Sequence, residues 1–314
     1  MHVHDASFLR RGGRAVAVTC VAFALLSAAP SAWAGSEGSG ATPPAASASA
    51  LASFRTGDEA AQRALNYWTP ERRAAALDAT TTEFESVNPS AAAAIPKAEQ
   101  VSPVPHIGRI FYTQNGADYA CSANVVQAAN RSTLATAGHC LTQKQGWSTN
   151  IVFYPAYESG ESAYGAWPVI GGATTPGWYE KNDDDQADDT GFLAVGPNDE
   201  GTDISNVVGA SPVLFNQSAT HASSAYGYPA SLRFDGEHLE RCHGVGEAAS
   251  AEQIALPCDM NEGISGGPIF AGDDANAPQF ANVAERYGDY SHVLGPIWQA
   301  KEKSVYDTVA AITG

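Results

Sequence analysis

Three short patterns place together the residue types that make a hydroxyl into a nucleophile. Thr136-Ala137-Gly138-His139-Cys140 ends a β-rich run in a histidine, and Asp189-Thr190-Gly191-Phe192-Leu193 leads an aspartate directly into an apolar strand. Gly263-Ile264-Ser265-Gly266-Gly267-Pro268 sets a serine among glycines, where the backbone must turn tightly. A serine hydroxyl attacks poorly until an imidazole takes its proton, and the imidazole needs a carboxylate to hold its tautomer and stabilise its charged form. The amides of Gly263 and Ser265 can then converge on a developing oxyanion. Together the three patterns supply what acyl transfer from a peptide bond requires, with no cofactor and no metal.

Two other readings of these residues are weaker. Gly-x-Ser-x-Gly also fits the nucleophile elbow of the α/β-hydrolases, but that fold runs serine, acid, histidine, and only His292 follows Ser265. The aspartate sits in an acidic run, Asn182 to Asp189, with five carboxylates. Asp189 is preferred because it stands two residues before the glycine that enters the strand; Asp188 is its rival. A hydrated acidic loop is the expected state of the run, with calcium held by clustered oxygens as the alternative. Histidines at 106, 221, 238, 243 and 292 show no metal-ligand spacing.

The elements that must position these residues are short. From about Ala98 onward, runs such as Ile107–Tyr112, Cys121–Val126, Thr133–Ala137, Ile151–Tyr154 and Phe192–Val195 alternate with turn residues. Val213–Phe215, Ala225–Tyr228, Ile269–Phe270 and His292–Trp298 continue the series. That texture predicts an all-β sandwich or barrel pair. At the end, Val305, Val309 and Ile312 fall at helical spacing, so a C-terminal helix is expected over Lys303 to Ile312.

The first residues read differently. Arg10, Arg11 and Arg14 precede an uncharged apolar stretch from Ala15 to Ala29 and the end Ala32-Trp33-Ala34, the pattern of a secretory signal peptide over 1–34. Cleavage there removes Cys20 and leaves four cysteines for an oxidising compartment, where two disulfides are their natural use. Residues 35–97 read as a Gly/Ser/Ala/Pro linker followed by helix formers, with Leu65, Trp68 and Leu77 interrupted at Pro70. A propeptide is preferred there over a small helical domain or an ordered tail, with processing between Ile95 and Val101 and Lys97 as one possible cut. The formal net charge is −17. All of it falls on residues 98–314, which carry 9 basic and 26 acidic residues. Such a surface argues against nucleic acid or an anionic membrane as partner. The expected mature protein is a secreted, extracellular monomer acting on protein or peptide substrates, without membrane contact.

In these motifs and their order the chain resembles the trypsin/chymotrypsin-like serine endopeptidases, and most of all the secreted bacterial glutamyl-endopeptidase (V8-like) branch. The resemblance covers about residues 105–310 and is reinforced by Leu256-Pro257-Cys258-Asp259-Met260 and Tyr226-Gly227-Tyr228-Pro229. It implies two perpendicular six-stranded antiparallel β-barrels, over 98–205 and 206–314, with the site between them. It implies His139 as general base, Asp189 as its orienting partner and Ser265 as nucleophile. It also implies the disulfides Cys121–Cys140 and Cys242–Cys258.

Two positions depart from the family pattern. Ile264 stands where relatives with aspartate can pair a free N-terminus, so activation must use another contact. A non-catalytic binding or adhesion protein on the same scaffold is the alternative that Ile264 motivates. Asp259, six residues before Ser265, would suggest a Lys or Arg preference, but Cys258 shows that the loop is not built as in trypsin. Phe280 to Tyr287 holds no histidine to read a glutamate, and it does hold Glu285 and Arg286. Cleavage preference stays open.

Overall fold

The computed structural model describes residues 51–82, 96–181 and 185–314. The expected signal peptide, most of the linker and three residues of the acidic run lie outside the described residues. No helix among the described residues is long and apolar enough to cross a membrane.

Six antiparallel strands close the first barrel: β3 (Ile107–Gln114), β4 (Ala117–Val125), β5 (Thr133–Thr136), β6 (Thr149–Pro155), β7 (Trp167–Thr174) and β8 (Gly191–Val195). Closure comes from β7, which pairs with β8 on one side and with β6 through Trp167 and Pro168 on the other. Ile110, Val125, Leu134, Phe153 and Leu193 fill its interior. The run in β8 is apolar throughout because both of its faces are covered. Leu193 and Val195 point into the barrel, while Phe192 and Ala194 pack under helix α5 (Ala300–Ala310) with Trp298, Val305 and Val309. The two shorter helices are α3 (Pro176–Lys181) and α4 (Ile204–Val208).

The second half is built from β9 (Ala222–Gly227), β10 (Glu240–Val245), β11 (Gln253–Pro257), β12 (Pro268–Phe270), β13 (Gln279–Asn282) and β14 (His292–Pro296). They form two sheets, ordered β13-β12-β9-β10 and β11-β14, each with short added strands. An Ala281–Ile297 bridge joins the sheets around a core of Ala225, Ile254, Leu256, Ile269 and Phe280. The two halves exchange their ends. β2 (Glu99–Gln100) pairs with β10 of the second half, and α5 packs on the first.

Two details differ from the sequence expectation. Among the described residues Val213–Phe215 makes only one bridge, Val213 to Gln279, in which the Leu214 N–H donates to the Gln279 carbonyl and the Gln279 N–H to the Pro212 carbonyl. Strand β7 gave no clear signal because Pro168, Gly171 and Gly172 interrupt it. Close packing excludes side chains at both glycines: a Cβ at Gly172 would lie 2.7 Å from Leu193 and 2.8 Å from Phe54.

Residues 51–82 are folded onto the first barrel. Strand β1 (Ser53–Arg55) adds to the edge of β7, and α1 (Asp58–Tyr67) and α2 (Pro70–Thr82) follow. Ala64, Trp68, Ala76 and Leu77 are buried with Ile107 and Phe111. Trp68 Nε1 donates to the Asn150 carbonyl, and buried Arg73 donates to the carbonyls of Trp68 and Gly160. This is a specific docked interface.

Candidate active site

Strand register brings the histidine to the aspartate. Thr136, the last residue of β5, pairs with Gly191, the first of β8. Continuing that antiparallel register past the strand ends sets Gly138 opposite Asp189. A Cβ at Gly138 would lie 3.0 Å from Asp189 Oδ1 and 2.7 Å from Thr174 Oγ1, so only glycine leaves room for the carboxylate. Asp189 Oδ1 then accepts the His139 backbone N–H at 2.8 Å, and Oδ2 lies 2.7 Å from His139 Nδ1. A carboxylate oxygen opposite Nδ1 favours the tautomer in which Nδ1–H donates, and that tautomer leaves Nε2 as the acceptor of the ring. The Asp189 carboxylate is fully buried, whereas the imidazole is 30% exposed. The Asp189 backbone carbonyl accepts from Asn282 Nδ2 at 2.9 Å, and Asn282 Oδ1 accepts in turn from Thr190 Oγ1 and Trp298 Nε1.

Ser265 lines the same cleft as His139, on a turn pinned to the first barrel through Ser122 of β4. The Ser122 N–H donates to the Ser265 carbonyl at 2.7 Å. Its hydroxyl donates to the Gly263 carbonyl at 2.9 Å and accepts from the Tyr228 amide at 3.0 Å. Gly263 has φ +97°, and a Cβ there would meet the Tyr228 carbonyl at 2.6 Å. The peptide planes orient the amides. The Glu262 carbonyl accepts from the Ala230 N–H, and the Ile264 carbonyl from the Gly267 N–H. Because C=O and N–H point oppositely across a trans peptide, the Gly263 and Ser265 N–H groups face away from those partners. Neither donates to any acceptor among the described residues. Two unpaired amides beside a hydroxyl form an arrangement able to stabilise an oxyanion.

Asp188 is used elsewhere: its carboxylate meets Lys301 Nζ at 2.5 Å and Lys181 Nζ at 3.4 Å. Asp185 also pairs with Lys181, at 2.6 Å. The described carboxylates of the acidic run are thus committed to cations or the imidazole of the chain, while Asp183 and Asp184 lie outside the described residues. Both disulfides are formed, Cys121–Cys140 and Cys242–Cys258, with Cα separations of 6.4 and 5.7 Å. Ile264 is buried in the second core.

Asp259 does not line the cleft. It accepts from the Ala98 backbone N–H at 2.7 Å and from Arg233 Nε and Nη2, while Arg233 also donates to the Ala98 carbonyl. The charged groups that do line the cleft are Glu262, Glu285 and Arg286. Burial pushes the Glu285 carboxyl above its ordinary value. Sequence reasoning missed Ser122, Asn282 and the pairing of Glu262 with Arg286, because none of these contacts is marked by a local motif and folding alone brings the partners together.

Two antiparallel β-units with a histidine–aspartate pair and a serine loop in the cleft between them define the chymotrypsin-like class of fold. No family model and no curated protein matches the chain. The crystal structure of protease Anisep from Arthrobacter nicotinovorans matches 68% of this chain and 100% of its own, at 37% identity and a TM-score of 0.64. A thermostable serine protease, AL20, from an extremophilic microorganism matches 67% of this chain and 99% of its own, at 36% identity and 0.63. A Glu endopeptidase shares the fold at 17% identity and 0.55, over 68% of this chain and 97% of its own. The chain belongs to the trypsin/chymotrypsin-like serine endopeptidases, and it is a serine protease.

Proposed function

We propose that the chain is a secreted serine endopeptidase, made with a signal peptide over 1–34 and a propeptide within 35–97, that works through a Ser265-His139-Asp189 triad. The observation carrying this reading is the Asp189-bound imidazole in one cleft with Ser265 and two unpaired amides. His139 Nε2 takes the Ser265 proton as Oγ bonds to the scissile carbonyl carbon. The oxyanion that forms is held by the Gly263 and Ser265 amides. His139 passes its proton to the leaving amine as the C–N bond breaks, leaving an acyl-enzyme. Water, deprotonated by His139, then cleaves the ester and restores Ser265.

The propeptide reading draws support from two features. Anisep's match spans 68% of the chain, close to the share that follows Lys97. Pro96 and Lys97 are exposed while Ala98 is buried, so an exposed segment ends where the core of the second half begins. Cleavage there would leave the Ala98 amine at Asp259, the contact that Ile264 cannot offer. Residues 51–82 would then be held on the first barrel only by noncovalent contacts.

The test is a fluorophosphonate reagent with intact-mass analysis of the secreted form. The expected result is a label on Ser265, absent in Ser265→Ala, together with loss of hydrolysis of unfolded protein in that variant. Full proteolysis by Ser265→Ala would refute the mechanism. A processed, unlabelled and inactive protein would favour the binding-protein alternative.

A further inference from the structure

Resting on the protease reading above, we propose that the Glu262–Arg286 ion pair determines substrate specificity by holding the acyl-side pocket of the cleft to uncharged side chains. The mechanism itself orients the substrate. The leaving amine must receive its proton from His139, so the leaving side lies along the wall of His139, Tyr119 and Cys121. The side chain on the acyl side then enters between the serine loop and the facing segment Val283 to Arg286, in a cleft of about 400 Å³.

That part of the cleft is charged, but its charges are engaged. Arg286 Nε donates to Glu262 Oε1 at 3.0 Å, and Arg286 Nη2 reaches the same oxygen. The Ser231 hydroxyl donates to Glu262 Oε2 at 2.6 Å. Arg286 Nη2 also donates to the Tyr290 hydroxyl at 2.8 Å, and the guanidinium lies 3.6 Å from the Tyr290 ring centroid. The two side chains are only 17% and 11% exposed. In a site this desolvated, removing one partner leaves a buried charge uncompensated, so a charged substrate group could be admitted only at the expense of the existing pair. An uncharged side chain leaves the pair intact and buries against Ile264, Val283 and Ala284.

The other carboxylates do not offer a ready anion for a basic side chain. Asp259 is turned away onto Ala98 and Arg233. Glu285 accepts from Gln253 Nε2 at 3.3 Å, and burial disfavours its ionised form.

The experiment uses the processed enzyme and peptides identical except for Leu, Phe, Gln, Glu, Lys or Arg at the acyl position. Each kcat/KM is normalised to the concentration titrated by fluorophosphonate, so that misfolded protein drops out. The best uncharged peptide should exceed Glu, Lys and Arg by about tenfold or more. Glu262→Gln should raise the Glu-to-Leu ratio about tenfold by freeing the guanidinium, and Arg286→Gln should raise the Lys-to-Leu ratio similarly by freeing the carboxylate. The double variant should return to an uncharged preference. A wild-type preference for Glu, Lys or Arg overturns the proposal, even where a variant fails to fold. So do ratios that move in neither single variant. A titratable Ser265 with a charged preference overturns this inference alone, whereas no label and no hydrolysis overturns the protease reading with it.

Discussion

Asp189→Asn exchanges one oxygen for an NH₂ group at a place where both oxygens are in use. Oδ1 holds the His139 backbone N–H at 2.8 Å and Oδ2 faces Nδ1 at 2.7 Å, in a site closed to solvent. If the remaining oxygen keeps the backbone N–H, the amide NH₂ faces Nδ1. The imidazole must then carry its proton on Nε2 and can no longer accept one from Ser265. If the oxygen keeps Nδ1, two N–H groups oppose each other at the backbone, and each unsatisfied buried donor costs roughly 1–3 kcal/mol. The tautomer is expected to lose, and the same exchange in a comparable triad lowers kcat by about 10⁴, or about 5 kcal/mol of barrier. Steady-state hydrolysis of a chromogenic peptide gives kcat, with thermal melting as the folding control. Asp188→Asn should keep kcat within about threefold of wild type and lower the melting temperature, because Lys301 loses its closest partner. A folded Asp189→Asn enzyme with kcat within tenfold of wild type, or a larger rate loss in Asp188→Asn, would refute the assignment.

Two further substitutions probe the supporting structure. Ser122→Ala leaves the backbone bond to Ser265 but deprives the buried Gly263 carbonyl and Tyr228 amide of their partner, so stability should fall by roughly 1–3 kcal/mol in urea and kcat should fall with it; unchanged kcat would remove Ser122 from the positioning of the oxyanion amides. Burial pushes the carboxyl of Glu302 up to about 7 from its ordinary 4.5, so this residue favours the fold most when protonated. Its contribution is full below pH 4.5 and is lost as pH rises through about 7, a change of roughly 3 kcal/mol. Glu302→Gln keeps an acceptor for the Gln299 N–H without this titration, so the stability difference between wild type and variant should narrow or reverse across that window. Parallel stability–pH curves would show that Glu302 does not titrate there.

The residues of the proposed triad stand out in the sequence because each sits in a short local pattern. A histidine after a β-run, an aspartate entering one and a serine among glycines are visible within five or six positions. The all-β texture and the C-terminal helix were legible for the same reason, since period and turn composition are local properties. Strand β7 was not, because Gly171 and Gly172 answer to Leu193 and Phe54, which only folding brings near. Asp188 and Asp189 differ by one position in an acidic run, and composition could not rank their environments. The β5–β8 register did, by directing one toward Gly138 and His139 and the other toward Lys301.

Residues 51–82 divide in the same way. Their helix-forming composition was plain, and so was the break at Pro70. That Trp68 and Arg73 are buried against the first barrel is a matter of shape complementarity between segments about eighty positions apart. Sequence alone determined which side chains are chemically able to carry acyl transfer, because reactivity begins with residue type. Tertiary structure alone decided that Asp259 holds Ala98 and Arg233 instead of facing the cleft, and that Glu262 and Arg286 face each other across it. A carboxylate's role depends on which charges and donors surround it, and those neighbours are assigned by packing, not by order along the chain.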